Sequence, residues 1–193
     1  MPCNVLIVIR RAELVAQIRS VLQPRGYAIV DSCASGMQAL RTAASHPVDI
    51  AIAGFILNDM SGLEFAADLQ DKTDTSVLII SPQDQVNYVK EQARGRDVVP
   101  LPRPVTSQAL LNTLELMEHY RNRLQSARET TEKLRSDLDR RALADRAKVL
   151  LMQHTAMTEA EAWRWLQKRS MDTGRSLRDV AMQVLNQYKT DDK

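Results

Sequence analysis

The sequence predicts an α/β domain built on a doubly wound, five-stranded parallel sheet, followed by a region of helices only. Five short aliphatic runs recur between residues 5 and 99, separated by segments with helical periodicity. From Ser107 onward no glycine or proline occurs until Gly174, which indicates helices. Alternating strands and helices form parallel sheets whose functional groups lie at the carboxyl ends of the strands.

The strands are predicted from uninterrupted aliphatic and β-branched runs, which are typical of parallel strands buried on both faces. They cover residues 5–9, 27–30, 49–53, 76–80 and 97–99. The first helix carries Leu14, Ile18 and Leu22 on one stripe and is expected to end at Arg25-Gly26. The next three helices are expected at residues 36–44, 62–69 and 85–93.

The composition is that of an ordinary globular protein, with 193 residues, 44% hydrophobic content and a formal net charge of +2. No run approaches the roughly 20 apolar residues of a membrane span, and the first residues lack a signal-peptide pattern, which predicts a cytoplasmic protein. Cys3 and Cys33 have no CxxC spacing, and the three histidines are scattered. We therefore expect reduced thiols, no metal, no cofactor and no enzymatic site.

The segment from Asp49 to Glu64 resembles the third-strand region of two-component receiver domains, including its closing loop Asp59-Met60-Ser61-Gly62. In that family the strand ends in the aspartate that accepts phosphate, and the matching position here is Gly54. Asp59 is a nearby carboxylate, but it lies beyond the strand end and is expected to be an ordinary loop residue.

The other positions of the receiver chemistry are also altered. The acidic pair that would hold magnesium is matched by Ile9 and Arg10, neither of which binds a hard cation. Ser81 matches the switch hydroxyl, whereas Arg103 replaces the lysine that normally precedes the proline. The resemblance therefore implies a pseudo-receiver, over residues 1–106, that is regulated by something other than aspartyl phosphate.

Residues 107–141 are predicted to form a coiled-coil helix that pairs two chains. Charged residues surround a heptad seam in this segment. The seam consists of Met117, Tyr120, Leu124, Ala127, Thr131, Leu134 and Leu138. The pattern breaks at Arg141 and Asp145, which marks a domain boundary. The alternative is a single amphipathic helix packed on its own receiver domain.

Residues 142–193 are expected to hold three helices, the first being the end of the long one. Thr158 and Glu161 form a capping box at the start of the second, and Ser176 caps the third after Gly174. The segments 147–153, 161–166, 169–171 and 177–181 together resemble the ANTAR domain. The resemblance implies an RNA-binding module that engages paired hairpins in nascent messenger RNA and prevents a terminator from forming.

Several positions depart from the common ANTAR pattern, and they affect the expected RNA contacts more than the fold. They are Val149, His154, Gln167 and Ser170.

Lys148, at the family's most distinctive position, is the first predicted RNA contact. The other predicted contacts are Arg146, Gln153, Arg164, Trp165, Lys168, Arg169, Arg175 and Arg178. Helical spacing places Arg164 and Lys168 on one side of the second helix, away from its core. Trp163 is expected in the core, which leaves Trp165 either partly exposed and able to stack on an unpaired base or packed against the long helix.

The two resemblances, together with the coiled coil, imply a homodimeric transcription antitermination regulator that binds dual hairpins in an mRNA leader and is controlled by a sensor or ligand-binding partner protein. Two alternatives stay open. One is a DNA-binding transcription factor with a helix-turn-helix, although the third helix offers few base-reading side chains. The other is a dimeric signalling adaptor that does not touch nucleic acid.

Overall fold

The computed structural model describes residues 2–189. They form two compact units, the first ending at Arg123 and the second beginning at Leu124. No helix in the described residues is long and apolar enough to cross a membrane. The first unit contains β1 (Asn4–Val8), β2 (Ala28–Cys33), β3 (Ile50–Gly54), β4 (Ser76–Ser81) and β5 (Val98–Pro102). Its helices are α1 (Ala12–Leu22), α2 (Gly36–Ser45), α3 (Gly62–Gln70), α4 (Val86–Gln92) and the start of α5 (Ser107–Thr155).

The five strands form one parallel sheet in the order β2-β1-β3-β4-β5, which confirms the predicted fold class. The register pairs Val8 with Ala53, Gly54 with Ile80, and Ser81 with Pro102. The carboxyl ends of four neighbouring strands therefore meet at one edge, where a doubly wound sheet carries its functional groups.

Each face of the sheet has its own hydrophobic core, because alternate residues along a strand point to opposite faces. On one face, strand residues pack with Ile18 and Leu22 of α1 and with the first turns of α5. On the other face, they pack with Phe65 and Leu69 of α3 and with Val89 of α4. Burial on both faces explains why the strands are uninterrupted apolar runs.

The first helix ends earlier than the sequence predicted. It stops at Leu22, and a 3₁₀ turn over Gln23–Arg25 follows, with a proline in its first positions. Gly26 then adopts a φ of +83°, the left-handed conformation expected for the residue after this segment.

The start of α5 belongs to the first unit. Leu110, Leu111, Leu114 and Met117 are buried in the core of that unit. The compact unit consequently reaches Arg123, whereas the sequence analysis ended this domain at residue 106. Met117 is 4% exposed, so its side chain fills this core instead of a coiled-coil seam.

The second unit contains the rest of α5, α6 (Glu159–Thr173) and α7 (Leu177–Lys189). Their core is the apolar cluster Ala147, Leu151, Ala162, Leu166, Val180, Ala181 and Val184. The predicted capping box is present, since Thr158 accepts from the Glu161 amide and Glu161 accepts from the Thr158 amide. Gly174 ends α6 with a φ of +65°.

Trp163, predicted in the core, is not buried there, whereas Trp165 takes the packed position that the sequence left open beside base stacking. Trp163 is exposed, at 37%, and Trp165 packs against the core. The buried stripe of α6 is centred between Ala162 and Leu166, and successive residues turn by about 100° around the helix. Positions 163 and 165 both lie about 80° from the centre of the stripe, on opposite sides, so the helical period does not choose between them. The packing does, because Trp165 contacts the cluster formed with α5 and α7.

Candidate nucleic-acid interface

At the receiver edge, apolar side chains surround the position that matches the phosphate acceptor. Ile9 is 4% exposed, and its amide donates to the Cys33 carbonyl at 2.8 Å. A Cβ added to Gly54 would lie 3.9 Å from Leu57 Cδ2 and 3.4 Å from the Ile56 carbonyl oxygen. Leu57 is buried. An apolar side chain therefore packs beside the position where the family carries its phosphate-accepting aspartate.

The remaining receiver positions offer no metal ligand of the carboxylate type. Ser81 is fully buried, and its Oγ has no hydrogen-bond partner among the described residues. Arg103 donates its amide to the Ser81 carbonyl at 3.0 Å, and its side chain is exposed, as is that of Arg10. Magnesium requires oxygen ligands in octahedral geometry, which isoleucine and arginine do not provide.

Asp59 caps α2. Its carboxylate accepts hydrogen bonds from Ser35 Oγ at 2.7 Å, from the Gly36 amide at 2.7 Å and from the Met37 amide at 3.0 Å. These bonds, the one from Ser35 first, hold the pKa of Asp59 below its ordinary value. Both carboxylate oxygens therefore accept hydrogen bonds at the amino end of α2, a structural role that fits an ordinary loop aspartate.

The second unit contains a groove of about 950 Å³ between the end of α5 and the start of α6. Its lining mixes cations, acids and one large aromatic ring. The lining residues are Arg140, Arg141, Ala144, Asp145, Lys148, Thr158, Glu159, Ala160, Trp163 and Leu177. We call this feature the Lys148 groove.

Lys148 lies at the centre of an ion-pair network in the groove. Its Nζ contacts Glu159 Oε1 at 2.8 Å and Asp145 Oδ1 at 2.9 Å, and only 16% of the side chain is exposed. The bonds to Glu159 and then to Asp145 raise the pKa of Lys148, so the ammonium group stays charged. The same nitrogen lies 5.8 Å from the centre of the Trp163 ring, within the range of a cation–π contact.

Of the nine predicted RNA contacts, the structure places only Lys148 in the groove lining. Trp165 is half-buried in the core of the unit. The other seven are exposed on the helices outside the lining: Arg146, Gln153, Arg164, Lys168, Arg169, Arg175 and Arg178.

Five groove residues that receive a role below were not among the predicted contacts: Arg140, Arg141, Asp145, Glu159 and Trp163. A signal for one of them was available in the helical spacing. Arg141 precedes Lys148 by seven residues, about two helical turns, so both lie on one side of α5. Arg141 also interrupts the heptad pattern, and this second feature concealed its place in the groove.

The rest of the predicted dimerisation seam is exposed to solvent. Tyr120 is 57%, Leu134 60% and Leu138 66% exposed, and Leu124 is 41% exposed. Ala127 and Thr131 are exposed as well. Every residue in the range 122–136 is exposed, which leaves this stretch of α5 without a covering element in the described residues.

The fold and the groove define a class of two-part regulator, in which a receiver-type α/β unit is followed by a long helix and a small helical module. The chain belongs to the response regulator receiver family, whose domain model matches residues 5–115. It also carries an ANTAR domain, matched over residues 132–185.

Curated relatives agree with this assignment. The transcriptional regulatory protein PdtaR of Mycobacterium tuberculosis H37Rv is 25% identical over 189 residues, which cover 98% of this chain and 92% of the relative. The transcriptional regulatory protein KdpE of the same strain is 31% identical over 94 residues, covering 48% of this chain and 41% of that protein.

Solved structures support the fold of the first unit. The signal receiver domain of an HD domain-containing protein from Pseudomonas fluorescens Pf-5 matches with a TM-score of 0.57 and 20% identity. The match covers 63% of this chain and 98% of that domain.

Proposed function

We propose that this chain is an RNA-binding transcription antitermination regulator, located in the cytoplasm, that engages paired hairpins in nascent mRNA leaders. The observation that carries the proposal is the Lys148 groove, which lies within the ANTAR domain and combines arginines with an exposed tryptophan. Cationic side chains neutralise phosphates, and aromatic rings stack on unpaired bases in RNA loops.

In this proposal Arg140 and Arg141 meet the RNA backbone and Trp163 stacks on a loop base. Lys148 supports them by holding Asp145 and Glu159 in place across the groove. The exposed cations outside the groove, such as Arg164 and Lys168, add phosphate contacts that strengthen binding without selecting a sequence.

The regulator acts independently of aspartyl phosphorylation in this proposal. Three observations support that part: glycine at the acceptor position, a leucine packed against it, and the absence of the acidic pair. Control then comes from a sensor partner protein that binds the pseudo-receiver or the long helix.

The long helix pairs two chains in this proposal, through Tyr120, Leu124, Leu134 and Leu138. A dimer presents two ANTAR modules to two hairpins of one RNA. The second binding event is then intramolecular and gains from effective concentration.

The test is a gel-shift titration of the full-length protein with a two-hairpin leader RNA and with a duplex DNA of the same sequence. We expect salt-dependent binding of the RNA and no comparable binding of the DNA. Trp163→Ala should weaken RNA binding by the loss of one base stack, about 1–3 kcal/mol, or roughly 5- to 150-fold.

The matched control is Met171→Ala, which changes a large, 83% exposed side chain of the same helix outside the groove. Its RNA affinity should equal that of the unmodified protein. Tight binding to the DNA would favour a DNA-binding factor instead. Binding to neither nucleic acid would favour the adaptor.

A further inference from the structure

We infer that the Lys148 groove recognises one unpaired RNA base through two carboxylates, and that it selects bases whose edge carries an amino group. The inference rests on the proposed function, since it concerns the same groove. One feature of the groove is not required for phosphate binding. Two of the charged residues that line the groove, Asp145 and Glu159, are acids, which repel a nucleic-acid backbone.

The two acids are held in fixed positions by Lys148. Its Nζ pairs with one oxygen of each, Asp145 Oδ1 at 2.9 Å and Glu159 Oε1 at 2.8 Å. The second oxygen of each carboxylate stays outside these ion pairs. The side chains of Asp145 and Glu159 are 67% and 70% exposed, so the groove presents acceptor atoms to an incoming group.

Carboxylates accept hydrogen bonds and do not donate them when ionised. The exocyclic amines of adenine, cytosine and guanine are donors, and guanine adds an adjacent ring N–H that suits a carboxylate with two oxygens. Uracil presents one N–H between two carbonyl oxygens, which a carboxylate repels. An unpaired loop base exposes this edge, whereas a base in a helix does not.

The surroundings of the carboxylates suit a single nucleotide. Trp163 borders the groove and is 37% exposed, so part of its ring is available for stacking. Arg140 and Arg141 lie on the same lining and meet the flanking phosphates. The volume of about 950 Å³ falls in the range of clefts that enclose small organic ligands.

A basic peptide is the other occupant that two acids could attract. Arg140, Arg141 and Lys148 outnumber Asp145 and Glu159 in the lining, and Lys148 already pairs with both acids. This excess of positive charge favours a nucleic acid, whose phosphates are negative and whose bases supply the hydrogen-bond donors for the two carboxylates.

The experiment uses the full-length protein and a labelled pool of two-hairpin RNAs with randomised loops. The best-bound RNA is selected, and each loop base is then replaced in turn by uracil. We expect one loop position at which uracil raises the dissociation constant about tenfold or more. In Asp145→Asn and Glu159→Gln this penalty should fall below about threefold, because an amide can donate to a uracil carbonyl.

Asp172→Asn is the matched control, because it removes the same charge from an exposed position of α6 outside the groove lining. It should leave the uracil penalty unchanged. Equal dissociation constants for every loop base would overturn the inference while RNA binding stands. The inference would also be overturned if Asp145→Asn and Glu159→Gln lowered the dissociation constant of every loop variant by the same factor as Asp172→Asn does. No binding to any RNA would instead remove the proposed function itself.

Discussion

Replacing each tryptophan by alanine should separate stability from RNA binding. Trp165 packs against the apolar core of the second unit, whereas Trp163 is exposed beside the groove. Truncating a fully buried tryptophan costs roughly 3–5 kcal/mol. Trp165 is half-buried, so we expect Trp165→Ala to lower the free energy of unfolding by about 2 kcal/mol. For a unit of this size, the midpoint temperature then falls by about 8–16 °C.

Trp163→Ala loses its contact with the Lys148 ammonium, worth about 0.5–1 kcal/mol, so its midpoint should fall by less than about 8 °C. The chain contains two tryptophans, and both lie in the second unit. In each variant the fluorescence of the remaining tryptophan therefore follows the thermal unfolding of that unit alone. A larger midpoint loss in Trp163→Ala than in Trp165→Ala would refute the assignment of the two rings.

Three further predictions concern the other parts of the molecule. Gly54→Asp should remain unphosphorylated when it is incubated with acetyl phosphate and magnesium, because Ile9 and Arg10 cannot hold the metal. The measurement is a gel that retards phosphoproteins, and a shifted band would show that receiver chemistry is retained. Leu134→Glu combined with Leu138→Glu should shift sedimentation from dimer to monomer, since each change places a charge in the seam; an unchanged dimer would locate the interface elsewhere. The hydrogen bond from the Thr158 amide lowers the pKa of Glu161 from its ordinary value of 4.5. The stability that this carboxylate contributes is therefore fully present above pH 4.5 and is lost as the pH falls through the lower pKa of the folded state. Glu161→Gln should flatten that acid limb in a fluorescence melt, and an unchanged pH profile would contradict the capping role.

The sequence predicted the sheet well because burial on both faces imposes a strong pattern. Runs such as residues 5–8 admit few polar residues, and parallel pairing of such runs leaves few topologies. The caps were equally predictable, since Thr158 and Glu161 satisfy backbone groups within one turn. These features depend on local chemistry, which a single sequence contains.

The groove and the seam were harder to predict because they depend on which surface covers each helix. Met117 fits both a heptad seam and the amphipathic stripe that covers the sheet, and only the packing distinguishes the two. Trp163 and Trp165 flank the apolar stripe of α6, so a small rotation of this helix about its axis decides which of the two rings packs against the core. Leu57 is another such case, since nothing local indicates that it packs beside Gly54.

The long helix α5 links these parts, and its exposed leucines bear on how the regulator is controlled. Leu110 and Leu114 belong to the core of the first unit, whereas Ala147 and Leu151 belong to that of the second. Burying the exposed fractions of Leu124, Leu134 and Leu138 in both chains of a dimer contributes about 5–10 kcal/mol. Association costs about 4–15 kcal/mol, so the two terms are of similar size, and we expect the helix alone to form only a weak dimer. In the proposed dimer, a two-hairpin RNA would bind both modules at once, so RNA binding and dimerisation would strengthen each other. Under this proposal, a sensor partner that covers the exposed seam would need only a few kcal/mol of binding energy to keep the chains apart and weaken RNA binding.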